Sequence, residues 1–426
     1  MRMRKFKLIA LMLSAALTVS MLASCAGSSD EEGEADEEDG GQTLTVADPD
    51  YYTRFKGDGI SINVYNWGEY ICTGEDEGTL DVNTEFEELT GIKVNYTTFA
   101  TNEELYAKLK GGGSSYDVII PSDYMIAKMI EEGMVQKLNY DNIPNFEYIM
   151  DNFRNQAYDP ENEYSVPYTW GTIGIIYDAT VIDVPEEDID WDLLWDEDYA
   201  DQILMFDNPR DAFAIAEIIK GYSLNTEDPD ELEDCAKLLK KQKEIVQGYV
   251  MDEIFDKMGA GDALIAPYYA GDAITIMEDN EDLNFVIPKS GTNLFIDAAC
   301  IPTSAKQKEA AEMYINFLCE PDIAFANIDY ICYSTPHSAA YEMLDDETRE
   351  DPMIYPDDEF LAERGYVYSN LSKDGSKKMQ DLWTEMKSAE SETANRFLVP
   401  AFLILCILIV IGVLVRRHIK EKKDIF

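Results

Sequence analysis

The sequence predicts an α/β chain of two lobes, each a sheet covered by helices, with a ligand cleft between them and one apolar helix at the C-terminus. Three observations predict it. From Ile60 strand-like and helix-like segments alternate through short connections, the pattern of a parallel sheet with helices on both faces. The extended apolar run "YSVPYTWGTIGIIYD", Tyr164–Asp178, leads out of that first sheet, and "FIDAACIPTSA" returns to it. Near the end, "FLVPAFLILCILIVIGVLV", Phe397–Val415, carries no charge.

Taken in order, residues 1–24 have a basic start, an apolar run and small residues before Cys25, which marks a secretory signal peptide. Leu22-Ala23-Ser24-Cys25 resembles the lipobox of bacterial lipoproteins, which implies lipidation at Cys25. Residues 25–57, opening with "GSSDEEGEADEEDGGQ", read as an acidic linker kept extended by self-repulsion. "ISINVYNW" alternates as a strand, and "TLDVNTEFEELTG" reads as a helix stopped by Gly91. "IKVNYTTFA" is a second strand. "TNEELYAKLKGG" is a helix with Thr101 and Glu104 spaced as a capping box. "YDVIIPS" is a buried-type strand before the helix "DYMIAKMIEEG". Lobe 1 is expected at 58–169 and 297–343.

Lobe 2 is expected at 170–296 and 344–390. It holds "ADQILMF", the helices "RDAFAIAEIIKGYS" and "DELEDCAKLLKKQKEIV", the strands "ALIAPYY" and "NFVIP", and, after acidic loops beyond Asp345, the helix "KKMQDLWTEMKSA". The apolar run at 397–415 is long enough to span ~28 Å at ~1.5 Å per residue, close to the ~30 Å hydrocarbon layer. Pro400 sits in its first turn, where it costs little. The basic tail 416–426, "RRHIKEKKDIF", is cytoplasmic by the positive-inside rule, so the body of the chain is extracytoplasmic.

The net charge is −50 and hydrophobic residues make up 46% of the chain. Such acidity excludes nucleic-acid partners, which require Lys and Arg to displace counterions, and it favours cationic ligands. Enzyme readings are poor. The histidines are His337 and His418 alone, and no GxSxG, HExxH, Walker or GxGxxG motif stands at a strand-to-helix junction. Seven cysteines show no CxxC and no metal-ligand spacing. No cofactor is expected.

In open α/β sheets ligands dock at the carboxyl ends of the strands. The cluster "VYNWGEYI", Val64–Ile71, ends the first strand, and "PSDY" follows the third. In family order, "VYNWGEYI", "FEELTGIKVNY", "YDVIIPSDYMIAKMIEEGMVQKLN", "YSVPYTWGTIGIIYD", "AGDA", "IDAACIPTSAKQKEAAEMYINFL" and "YSTP" resemble the spermidine/putrescine-binding proteins of polyamine ABC transporters. The likeness runs from Ile60 to Met386. It implies a two-lobed type II periplasmic-binding-protein fold that closes on a polyamine and delivers it to ABC permease subunits.

The resemblance implies Trp67, Glu69, Tyr70, Ser122 and Tyr124 in the first lobe. In the second it implies Asn208, Asp211, Tyr269, Asp272, Phe295 and Asp297, with Tyr333 and Tyr368 completing the set. The chemistry agrees, because each ammonium taken from water needs a carboxylate and full hydrogen bonding, and aromatic faces attract cations. Asn208 stands where spermidine-preferring members carry aspartate, and Tyr269 and Phe295 replace frequent tryptophans. With "AGDA", these departures imply putrescine or mixed putrescine and spermidine. Plainer roles stay open: Trp67 and Tyr70 as caps on a strand's core, Asp211 as a solvated first-turn acid, and Asp272 as a helix N-cap. Two rival functions also stay open, a binder of another organic cation and a membrane-tethered polyamine sensor.

Overall fold

Ile62 and Val64, the alternating apolar positions of the first strand, are fully buried, and the strands of the first unit are built around them. The computed structural model describes residues 44–75, 78–113 and 115–389. The signal peptide, Cys25, most of the acidic linker, the apolar run at 397–415 and the tail lie outside these residues. Among the described residues no helix is long and apolar enough to cross a membrane.

In chain order the regular elements begin with α1 (Pro49–Thr53), β1 (Ser61–Trp67), α2 (Val82–Thr90), β2 (Lys93–Phe99), α3 (Asn102–Lys110), β3 (Val118–Ile119), α4 (Asp123–Glu131) and β4 (Ser165–Asp178). There follow β5 (Ile203–Phe206), α5 (Pro209–Lys220), α6 (Pro229–Gln242), β6 (Val246–Val250), α7 (Glu253–Gly259), β7 (Ile265–Tyr269), α8 (Ala270–Asp279) and β8 (Leu283–Val286). The last are β9 (Thr292–Cys300), α9 (Lys308–Leu318), α10 (Pro321–Ile331), α11 (Ser338–Met343), α12 (Asp346–Arg349), α13 (Asp358–Arg364), β10 (Gly365–Tyr366) and α14 (Lys373–Ser388). The chain divides into two compact units. Unit 1 comprises the chain through Ser122, Met129–Trp170 and Ile296–Pro356; unit 2 comprises Asp123–Lys128, Gly171–Phe295 and the chain from Asp357. Strands β4 and β9 each begin in one unit and end in the other.

In unit 1, β1 pairs parallel with β2 and β3, and β3 meets β9 antiparallel at Ile119 and Cys300. The core beneath gathers Phe86, Ile92, Tyr314 and Phe317. Gly91 ends α2 at φ 71°, a left-handed cap whose N–H bonds Glu87 O. Thr101 caps α3 as the spacing predicts, accepting from Glu104 N. In unit 2, β4 pairs antiparallel with β7 and β8, while β5 lies parallel to β6 and β7. Helices α5, α6 and α14 cover it, with Trp383 and Met386 buried on the inner face of α14.

Four boundaries differ from the sequence reading. The linker expected to reach residue 57 already packs by residue 44: Tyr52 on α1 is fully buried, donates to Glu320 Oε1 (2.6 Å) and accepts from Asn316 Nδ2 (2.7 Å). Helix α6 stops at Gln242, because Ile245 and Val246 lead into β6 at the sheet edge, where β-branched side chains fit. The chain stays with unit 1 to Pro356 rather than leaving at 344; Ser334 donates to Ile354 O (2.5 Å) and Trp170 packs on Tyr355 (6.0 Å). Finally, Tyr124 belongs to unit 2, not to the first lobe, because its ring packs on Tyr368 at 5.7 Å.

His337 is a structural residue. It caps α11, its Nδ1 accepting from Ala340 N (3.1 Å) while Nε2–H donates to Cys319 O (3.0 Å). Burial lowers its pKa to about 4. The unfolded chain takes up that proton near the ordinary value of ~6.5, so the stabilisation is present above that pH and is lost as pH falls toward about 4. Denaturant unfolding of wild type should therefore lose ~2–3 kcal/mol more than His337→Asn between about pH 7 and pH 4.5. Equal losses would remove His337 as the cause.

Candidate functional site

Each unit carries its own buried carboxylate held by tyrosine. In unit 1 the strand end at Trp67 turns through Gly68 and Glu69, the latter at φ 48°, and delivers Tyr70 inward. The Tyr70 hydroxyl donates to Asp297 Oδ2 (2.7 Å) and also meets Thr169 Oγ1. With its own proton on the carboxylate, the tyrosine accepts from the threonine. Tyr333, set just after the left-handed Cys332 (φ 60°), packs edge-on to Tyr70 at 4.8 Å, and Tyr168 flanks it at 5.7 Å.

Asp297, expected in the second lobe, belongs to unit 1 and bridges the backbone of Ser122. Ser122 is fixed in turn by Asn102 at the start of α3, whose amide donates to Ser122 Oγ (3.0 Å) and accepts from Ser122 N (3.1 Å). Trp67 is half-buried against Phe99 at 4.5 Å, and its indole N–H has no partner among the described residues. Glu69 is exposed.

In unit 2 the carboxylate is Asp211, 4% exposed in the first turn of α5. It accepts from Tyr269 Oη (2.6 Å), Tyr368 Oη (2.9 Å) and Asn208 Nδ2 (2.8 Å). Burial raises its pKa, while the two tyrosine hydroxyls and the neighbouring Arg210 pull it back. Burial and the adjacent carboxylate together raise Tyr269 far above the usual phenol range, so both hydroxyls stay protonated donors. Phe295 stands edge-on to Tyr269 at 5.6 Å. A methyl group at Gly171 would lie 2.9 Å from Phe295 Cζ, so glycine there is what lets the ring lie against β4.

The plainer roles now separate. Asp211 is no solvated acid. Asp272 lies inside the first turn of α8 behind Tyr269, so the N-cap role falls. Asn208 is the N-cap of α5; its Oδ1 accepts from Arg210 N (2.8 Å) and Asp211 N (3.4 Å). It reaches the site by orienting Asp211. Tyr70 does more than close a core, because it spends its hydroxyl on Asp297, whereas the packing of Trp67 on Phe99 fits the cap role equally well. Sequence reasoning passed over Thr169, Tyr168, Asn102, Arg210 and Gly171. The phrase "PYTWG" held a signal for Thr169, since alternate residues of a strand share a face.

The arrangement offers a carboxylate in each unit, ringed by aromatic faces, which is a chemistry for organic cations. Comparison with known proteins agrees. Residues 114–364 match the family of bacterial extracellular solute-binding proteins. The spermidine/putrescine-binding periplasmic protein of Escherichia coli K12 is 36% identical over 305 residues, 71% of this chain and 85% of that protein. A putrescine-binding periplasmic protein of Pseudomonas aeruginosa is 30% identical, over 77% of this chain and 92% of that one. Among solved structures, a spermidine/putrescine ABC transporter protein from Listeria monocytogenes has a TM-score of 0.72 at 37% identity, covering 77% of this chain and 99% of that one.

The Tyr70–Asp297 bond predicts a stability cost. Tyr70→Phe takes a donor from a buried carboxylate, so thermal unfolding of the purified full chain should show a loss of ~1.5–3 kcal/mol. An unchanged melting temperature would mean that the hydroxyl does not carry this charge.

Proposed function

Because the chain belongs to the family of bacterial extracellular solute-binding proteins, we propose that it captures a polyamine and hands it to an ABC permease. The relatives are binding components of transporters rather than enzymes, and so is this protein. The observation that carries the polyamine reading is the pair of buried carboxylates, Asp297 and Asp211, each held by neutral tyrosine donors. Neutral donors steady a negative charge without cancelling it, which suits a site for an ammonium. A linear diamine or triamine has ammonium groups joined by methylenes, which suit the faces of Trp67, Tyr269 and Phe295. A cation over such a face gains ~0.5–2 kcal/mol.

In this reading, one ammonium pairs with Asp297 beside Tyr70, Tyr333 and Ser122, and another with Asp211 beside Tyr269, Tyr368 and Tyr124. Asp272 and Glu69 complete the acidic lining. Asn208 contributes no charge, and Tyr269 and Phe295 give weaker cation–π attraction than tryptophan. Both favour putrescine or mixed use over strict spermidine selectivity. Calorimetry of the full chain with putrescine, spermidine, spermine and thiamine tests this. We expect binding of the di- and triamine, weakened by salt, and a loss of ~1.5–3 kcal/mol in Asp297→Asn. A chain that ignores both amines, or takes thiamine in preference, contradicts it and favours another organic cation.

For the ends of the chain, we propose lipidation at Cys25 and a membrane span at 397–415, with the tail 416–426 in the cytoplasm. The support is the lipobox-like sequence and the uncharged run. Two tethers hold the receptor near its permease at high effective concentration. Removing residues 397–426 should then leave affinity intact but lower uptake when substrate is scarce. Undiminished uptake would argue against the tether and leave room for a sensing role.

A further inference from the structure

One buried charge in unit 2 has no part in the reading above. Arg210, 4% exposed, lies between the helix cap Asn208 and the carboxylate Asp211. Its Nη2 donates to Asn225 Oδ1 (2.8 Å) and Ser369 O (3.2 Å), both neutral, while Nε and Nη1 have no partner among the described residues. The guanidinium carbon lies 4.4 Å from the centre of the Tyr368 ring and 5.7 Å from that of Tyr124. A cation held this close to a ring face fixes the ring as well as attracting it. The Tyr368 hydroxyl, at the other end of that ring, is the one that reaches Asp211 Oδ1 at 2.9 Å.

An acid further along α5 does not cancel this charge. Glu217 is fully buried and its carboxyl oxygens have no partner among the described residues. Burial raises its pKa to about 8, against an opposing pull from Arg210, so it is mainly neutral at physiological pH. We infer that Arg210 is a positioning residue for Asp211: it clamps Tyr368 onto the carboxylate and supplies the positive field that keeps it ionised before a ligand arrives. Its part in amine capture rests on the polyamine reading. The other titratable groups acting here are Tyr269 on Asp211, Asp211 and Asp272 on Tyr268, Glu227 beside Arg210, and Glu231 beside Glu217.

The test uses the full chain as wild type, Arg210→Met, Arg210→Lys and, as a control, Glu217→Gln. Putrescine binding is measured from about pH 5 to pH 8. Arg210→Met should bind ~10-fold more weakly at the alkaline end and lose several-fold more at the acid end, because without the cation the Asp211 pKa rises further. Arg210→Lys should keep the wild-type slope with pH, as should Glu217→Gln. An equal loss at every pH would mark Arg210 as merely structural and overturn the inference.

A ligand-free measurement separates this from the function itself. An acid whose folded pKa is raised loses stability as pH climbs from its unfolded value through its folded one. The melting temperature of Arg210→Met should therefore fall further below that of wild type as pH rises from about 4 to 6. If wild type binds no amine yet this gap opens, the polyamine reading falls and the role of Arg210 stands. If wild type binds and neither the slope nor the gap changes, the role of Arg210 falls and the reading stands.

Discussion

A carboxylate buried in protein keeps its charge only where hydrogen bonds replace the water it has left, and each unit of this chain solves that problem with tyrosine. Asp297 is held by Tyr70, and Asp211 by Tyr269 and Tyr368. A lysine or arginine hydrogen-bonded in the same positions would neutralise each acid and leave nothing for a cationic ligand. Tyrosine donates without neutralising, and its ring supplies the face that an ammonium or methylene chain needs. The rest of the architecture serves this bond: the turn after β1 that sends Tyr70 inward, the left-handed Cys332 that aims Tyr333, and the Asn208 cap that orients Asp211.

Most of the fold was legible because its signals are local. Alternation marks β1, Gly91 ends α2, and Thr101 opens α3, each within a few residues of the element it controls. Less legible were features decided by distant packing. Nothing around Tyr52 announces that α1 will bury it against Glu320 and Asn316, more than 260 positions away. The β6 strand is short and follows a helical pattern, so its edge pairing with β5 is set by the sheet rather than by propensity.

The candidate site was legible only as the residue types that a family resemblance implied. Geometry then sorted those residues by what they touch. Asn208 has a cap's duties, Tyr124 belongs with Tyr368, and Asp211 is sealed rather than solvated. Arg210 escaped notice because its contacts, with Asn225, Ser369 and the Tyr368 ring, come from distant parts of the chain. Gly171 escaped because the Phe295 ring that requires its missing side chain stands 124 positions later in the sequence.

The most direct measurement of the central claim is an experimental structure of the chain with putrescine bound. The account predicts an ammonium within ~3 Å of an Asp297 or an Asp211 oxygen, an ordinary hydrogen-bond distance, with the tyrosine bonds to both acids retained. A diamine seated elsewhere, with both acids bonded only to protein, would contradict it.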